Sequence, residues 1–192
     1  MRIIAGRLRG KKLAEIGAGD AAAHLRPTTD RVRENLFNII ASGKHGDPII
    51  GARVLDLFAG TGALGLEALS RGAEHVSFVD DGKAAQALLR QNMALCAAQG
   101  ASALVRRDAC DLGPVTGAPF DLIFLDPPYG MGLGERALVN ALAGGWIAPG
   151  AVIVWEESAP PIVPPGFALL DQRSYGGTVI TLLRAALVDP SA

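Results

Sequence analysis

From Arg53 onward the chain alternates short apolar runs with longer stretches whose apolar residues recur every three or four positions, and few folds accommodate that order. RVLDLF, HVSFVD, ALVRRD and FDLIFLD read as strands. ALGLEALSRG, KAAQALLRQNMALCAAQG and GERALVNALAGG read as helices, the second closed by Gly100. Strand-helix-strand units favour right-handed crossovers, so the strands line up in parallel with helices on both faces. AVIVWEE adds another strand, and FALLDQRSYG and TVITLLR form a hairpin across Gly176 and Gly177. A parallel sheet that finishes in an antiparallel hairpin departs from a plain nucleotide-binding half, which would continue with parallel crossovers.

The residues before Arg53 follow another pattern. RIIAGRLRGKKL reads as two short strands joined by a turn, and residues 17 to 24 as an Ala- and Gly-rich loop. RPTTDRVRENLFNIIAS reads as a helix starting near Thr29 or Asp30 and ended by Gly43, because Val32, Leu36, Ile39 and Ile40 share one face. The expected division is a basic extension over residues 1–52 and an α/β domain over 53–192. A chain of 192 residues supplies one sizeable core and a small appendage.

Charge separates the two parts. Through Arg53 there are ten Lys or Arg against five Asp or Glu; the remainder has eight against fourteen. Arg2, Arg7, Arg9, Lys11 and Lys12 stand in the first twelve residues without an acid, which suits phosphate contacts. Blunting of an exposed strand edge is the plainer reading of the same residues. No apolar run approaches the roughly 20 residues of a membrane span, and MRIIAGRLRGKKL lacks the apolar centre of a secretory signal, so a cytoplasmic protein without membrane contact is expected. Cys96 and Cys110 form no CxxC pair and His24, His45 and His75 no ligand spacing, which points to reduced thiols and no metal.

The first strand runs into DLFAGTGALGLEAL, where Gly60, Gly62 and Gly65 follow the pattern G-x-G-x-x-G. Such a loop lets backbone approach a ligand at the start of the next helix. Asp80 ends the second strand about 20 residues later, where a carboxylate accepts hydrogen bonds from ribose hydroxyls. NAD and S-adenosylmethionine share those features. Asp56 favours the second, since a diphosphate gains nothing from a carboxylate four residues before the glycines and a cationic sulfonium does.

DLIFLDPPYG, residues 121 to 130, raises a separate question. Consecutive prolines cannot donate to a sheet ladder, so the strand stops near Asp126 and its last carbonyls are free for other use. Ligands of open α/β sheets bind beyond the carboxyl ends of strands. If the acceptor there is the exocyclic amine of a base, its lone pair is delocalised into the ring. Acceptors aimed at both N–H groups favour the tetrahedral geometry that methylation needs. Asp126 supplies one, the carbonyl of Pro127 the other, Pro128 stiffens the turn, and Tyr129 offers a face for stacking. A paired base must first be flipped out. Read alone, Asp-Pro-Pro is also ordinary turn punctuation.

Together these segments resemble a known family, the class I methyltransferases of the RsmD type. The resemblance covers nearly the whole chain: RIIAGRLRGKKL, RPTTDRVRENLFNII, VLDLFAGTGALGLEALSRGA, the acid after the second strand, and FLDPPYG. DPPY alone is shared with adenine-N6 enzymes; RPTTDRVRE joined to LDLFAGTGALGLEALSRGA is far more specific. The resemblance implies a Rossmann-like seven-stranded, mostly parallel sheet of order 3-2-1-4-5-7-6 with its last strand antiparallel. It also implies S-adenosylmethionine as donor and N2 of the position-966 guanine of 16S rRNA as acceptor, within the small ribosomal subunit. A monomer is expected.

Carried over by position, Asp56, Phe58, Ala59, Gly60, Thr61 and Gly62 would line the donor site. Asp80 would hold the ribose, although Asp81 beside it competes for that role because the family usually has Glu there. Asp108 would meet the adenine amine, with Ala109 adjacent, and Asp126, Pro127, Pro128 and Tyr129 would form the reaction loop. Arg26 and Thr28 would lie near the donor's methionine end or the RNA, and Arg31 and Arg33 are further RNA candidates. Glu156 and Glu157 reach the same edge, where a solvated strand end is the simpler reading; Trp146 and Trp155 read as packing residues. The rival readings are an adenine-N6 methyltransferase, an NAD-linked oxidoreductase and a non-catalytic RNA-binding module.

Overall fold

A computed structural model describes residues 1–15, 30–42 and 46–187. Its sheet has seven strands: β1 (Arg53–Leu57), β2 (His75–Val79), β3 (Ser102–Val105), β4 (Phe120–Leu125), β5 (Ile147–Glu157), β6 (Phe167–Tyr175) and β7 (Thr178–Ala185). They lie in the order β3-β2-β1-β4-β5-β7-β6. β1 to β5 run parallel, and β7 is antiparallel to both β5 and β6. The helices are α1 (Asp30–Ile40), α2 (Ala63–Ser70), α3 (Lys83–Leu95) and α4 (Leu133–Ala143).

Period-two alternation sends the central strands' side chains to two cores. Val54, Val76, Phe78, Leu122, Phe124 and Val154 pack against α1, α2 and α3, together with Ile3 and Leu13 from the N-terminal arm. Leu55, Leu57, Ile123, Leu125, Ile153 and Trp155 pack on the other face against Ala137, Leu138 and Ala141 of α4. Both faces are covered, which is why β1 and β4 are almost continuously buried. The register then aligns the functional ends: Leu57 pairs with Val79 and with Leu125, and Leu125 with Trp155.

Three local expectations change. The N-terminal hairpin has one antiparallel bridge, Arg2 with Lys12, and a 3-10 turn at Gly6–Leu8 in place of two strands. Its rungs at Ile3 and Leu13 form, but Ile4 and Ala5 give their N–H groups to Glu67 of α2. The long helix closes at Leu95, short of Gly100. Ala97 takes a left-handed conformation (φ 48°) while Ala98 donates to the carbonyl of Met93, a turn that buries Cys96 and Ala98. β3 ends at Val105, leaving Arg106 to Asp108 as loop. α1 ends at Ile40; Gly43 and the loop at residues 17 to 24 lie outside the described residues. No helix among the described residues is long and apolar enough to cross a membrane.

Candidate active site

The glycine loop is built to sit tightly over the sheet. Phe58 (φ 58°), Gly60 (φ 55°) and Gly62 (φ 77°) all adopt left-handed backbone, and Gly62 opens α2. A positive φ at a residue as bulky as Phe58 is unusual, a strain that clusters at ligand sites. A Cβ on Gly65 would lie 2.5 Å from Phe78 and 2.7 Å from Val76, so the third glycine serves close packing of α2 on β2. Ala59 donates to the carbonyl of Val79 (3.0 Å), tying the loop to the neighbouring strand. Ala59, Gly60 and Gly62 are buried, while Phe58 and Thr61 are half-buried.

The two loop acids have different surroundings. Asp80 bridges two turns: Oδ2 accepts the N–H of Gly60 and Oδ1 that of Gly82, both at 2.9 Å. Burial lifts its pKa, opposed by those two N–H groups. Asp81 is exposed. Asp56 shares the Val54 face of β1 and therefore points beneath α2, where Oδ2 accepts the N–H of Gly65 at 2.9 Å. It is 1% exposed, and burial pushes its pKa up to about 8. From the sequence Asp56 reads as a standing negative charge; in the folded chain burial favours the protonated form of this carboxyl. A nearby cation would favour its ionised form.

Beyond β3, Asp108 is exposed and its Oδ1 accepts the N–H of Cys110 at 2.8 Å; Ala109 is buried behind it. Beyond β4, Asp126 is half-buried, Pro127 buried and Pro128 half-buried. Tyr129 is half-buried, and its hydroxyl donates to Oε1 of Glu156 at 2.8 Å, with Oγ1 of Thr178 3.4 Å away. Burial first, and then the Glu156 carboxylate, hold that hydroxyl above its ordinary pKa, against an opposing hydrogen bond with Thr178. Gly130 donates its N–H to Oε1 of Glu157 at 3.1 Å. The two carboxylates at the end of β5 thus hold the DPPY loop, a role that their position alone left open. Trp146 stacks on Phe120, and Trp155 is fully buried against Gly134, so both are packing residues.

Glycine loop, Asp80, Asp108 and the DPPY loop all leave the same edge of the sheet, with β1 as the strand from which the order runs out both ways. That is the ligand-binding position of an open α/β sheet. Concavities also open between the arm and α1, lined by Arg2, Arg9, Asp30 and Glu34, and beside Pro114 and Asn140; neither touches this edge.

Over residues 1–184 the sequence matches the family described as Conserved hypothetical protein 95. Ribosomal RNA small subunit methyltransferase D of Escherichia coli (strain K12) is 39% identical over 179 residues, which span 92% of this chain and 85% of that protein. The chain belongs to the methyltransferase D family. The protein of that name from Haemophilus influenzae is 36% identical over 182 residues, 92% of this chain and 89% of its own. The solved Escherichia coli structure yhhF superposes with a TM-score of 0.80 at 37% identity, covering 97% of this chain and 98% of that one. The sheet and its order are those of a class I methyltransferase.

In this methyltransferase D family member the basic arm is open to solvent: Arg2, Arg7, Arg9, Lys11, Lys12 and Arg31 are all exposed. Arg33 is a correction to the expected RNA contacts, for it is 0% exposed. Its Nη2 donates to Oδ1 of Asp30 at 2.9 Å and to the carbonyl of Arg2. Nε and Nη1 have no hydrogen-bond partner among the described residues, and burial lowers its pKa. Arg26 and Thr28 lie outside the described residues. The sequence reading also missed Glu67 and Asn92, both fully buried. A signal existed: each interrupts an apolar helical stripe, Asn92 one turn after Leu89 and beside Met93.

Proposed function

We propose that this chain transfers a methyl group from S-adenosylmethionine to the exocyclic N2 of a guanine in 16S rRNA, the position-966 guanine of the small subunit, acting in the cytoplasm as a monomer. One observation carries the reading: Leu57 and Leu125 are register partners on adjacent parallel strands. The donor loop and the reaction loop therefore start side by side, about 5 Å apart. The names of the relatives support ribosomal RNA as the substrate class.

The residues present fit the donor. The left-handed Gly60 and Gly62 turn the backbone sharply at the start of α2, and Gly62 and Gly65 seat it closely against Leu89, Phe78 and Val76, the form of a loop that brings backbone up to a nucleoside. Each oxygen of Asp80 accepts a backbone N–H and retains a lone pair for a ribose hydroxyl. Asp108 is placed to accept from an adenine amine, and Asp56 gives a buried site that ionises in response to a cation. When bound, the group supplies an electrophilic methyl carbon on a sulfonium.

On the acceptor side Tyr129 stacks the flipped base, and its tie to Glu156 fixes the plane of the ring. Asp126 accepts one hydrogen of the amine and the Pro127 carbonyl the other, which draws the nitrogen lone pair toward the donor. Guanine's N1–H lies beside N2, so an oxygen acceptor reaching that side of the amine meets a second donor. Adenine would present an acceptor there. The proton leaves the nitrogen after the new bond forms, so orientation contributes more than a strong base. The arm's exposed cations meet phosphates.

The test is transfer of labelled methyl groups to small subunits lacking the modification, with the modified nucleotide mapped by mass spectrometry. Label on N2 of that guanine is the expected result. Label on adenine, or transfer preferentially to free DNA, would overturn the substrate assignment.

A further inference from the structure

The basic arm is held to the body of the protein by three buried or half-buried groups. Glu67 accepts the N–H groups of Ile4 at 2.7 Å and Ala5 at 2.9 Å, and Oγ of Ser70 accepts that of Leu8 at 2.9 Å. Those two anchor the arm on α2. The third does something else. Asn92 of α3 accepts the N–H of Ala14 at Oδ1 (2.7 Å), while its Nδ2 donates to the carbonyl of Ala14 (3.1 Å) and to that of Thr61 (2.9 Å). Asn92 is 0% exposed, so one planar amide, with both ends engaged, joins the root of the arm to the middle of the glycine loop. Met1 closes the same junction, its Sδ lying 3.9 Å from Oγ1 of Thr61.

A buried amide leaves little freedom. If the Thr61 carbonyl shifts as the loop closes on a ligand, either a buried hydrogen bond breaks or Ala14 moves with it. The arm beyond Ala14 carries the exposed cations Arg2, Arg7, Arg9, Lys11 and Lys12. We infer that Asn92 is a positioning residue that couples the donor loop to the basic arm, so that methyl donor and RNA bind cooperatively. The inference rests on the reading of Gly60 to Gly62 as the donor site. Coupling between two binding equilibria is reciprocal, so donor binding must raise RNA affinity by the same factor by which RNA on the arm raises donor affinity, and ordering of the arm is the route by which it does so.

The experiment uses the full chain with S-adenosylhomocysteine as probe. Calorimetry comes first; failure of the probe to bind overturns the donor-site reading itself. With the probe bound, hydrogen exchange across residues 11 to 15 should slow by about fivefold or more, the lower range of such couplings. Binding without slowing at Ala14 overturns the coupling while leaving the donor site intact. Asn92→Ala should still bind the probe, yet lose both the slowing and the RNA-induced gain in probe affinity. Ser70→Ala, which loosens the arm without touching the loop, should keep both. Retention of coupling in Asn92→Ala, or equal loss in Ser70→Ala, would remove Asn92 from the role.

Discussion

Tyr129 donates its hydroxyl to Oε1 of Glu156 across 2.8 Å, and Glu156 is 4% exposed. A half-buried ring at the end of the sheet is thereby fixed by a buried carboxylate. Thr178 of β7 flanks the pair at 3.4 Å, so the antiparallel hairpin that ends the chain contributes to the setting of the reaction loop.

Tyr129→Ala should raise KM for the RNA substrate and lower kcat. Loss of base stacking at about 1–3 kcal/mol corresponds to roughly 5- to 150-fold in kcat/KM. Tyr129→Phe keeps the face and loses the tether, so its effect should fall mainly on kcat and be smaller. Glu156→Gln should stay closer to wild type than Tyr129→Phe, since the amide oxygen can still accept the tyrosine hydroxyl. Steady-state methyl transfer on small subunits measures all three. A larger defect in Tyr129→Phe than in Tyr129→Ala would contradict a stacking role.

Asp126→Ala should reduce transfer by on the order of 10²- to 10³-fold, the cost of removing one preorganised group from a charge-developing site. Donor affinity, measured by calorimetry with S-adenosylhomocysteine, should stay within about twofold, because the donor contacts lie on other loops. Parallel loss of both would mean that Asp126 supports the donor pocket instead.

Asp56 makes stability depend on pH. Its ordinary value is 3.8, and burial raises it in the folded chain to about 8, opposed by the Gly65 N–H and reinforced by Asp80. Between those values the folded chain holds a proton that the unfolded chain has released. The contribution to stability is therefore complete below the unfolded value and is lost as pH rises toward the folded one. Asp56→Asn keeps an acceptor for Gly65 and cannot titrate, so its urea midpoint should fall less steeply over that range. A cationic donor favours the ionised carboxylate, so wild-type affinity for S-adenosylmethionine should rise toward pH 8, and the variant's should not. Identical slopes in both proteins would clear Asp56 of responsibility.

Arg33 and the exposed arm separate stability from RNA binding. Lys11→Ala or Arg7→Ala should weaken RNA association and reduce its logarithmic salt slope by roughly 0.7–0.9 per lost phosphate contact, with Tm unchanged. Arg33→Ala should lower Tm by several degrees, since it removes a fully buried side chain that bonds Asp30 and the Arg2 carbonyl. Its salt slope should match wild type. A reduced slope in Arg33→Ala with no change in Tm would reverse the assignment.

The architecture was legible because its signals are local. Apolar runs at β1, β4 and β7, helical spacing in α3 and α4, and the Gly176-Gly177 hairpin each report the chain within ten or so residues. The motif loops were legible for the same reason: DPPY and the glycines stop a strand wherever they occur. Misreadings arose where a distant segment changed the outcome. Gly100 looked like the end of α3, but burial of Cys96 and Ala98 bent the chain sooner, at Ala97. Ile4 and Ala5 looked like strand residues, but Glu67 takes their N–H groups from 62 and 63 positions away.

What the sequence determined by itself is the order of strands and helices, the glycine-rich and DPPY loops between them, and the basic pole at the start, because periodicity, glycine and proline act through neighbouring residues. The tertiary structure alone decided which charges count. Asp56 became a buried acid with a raised pKa, Arg33 an interior cation, Glu156 a tether, and Asn92 a link to Ala14 across 78 residues of sequence. Burial and hydrogen-bond partners fix the state of a polar group, and those partners are brought together only by folding.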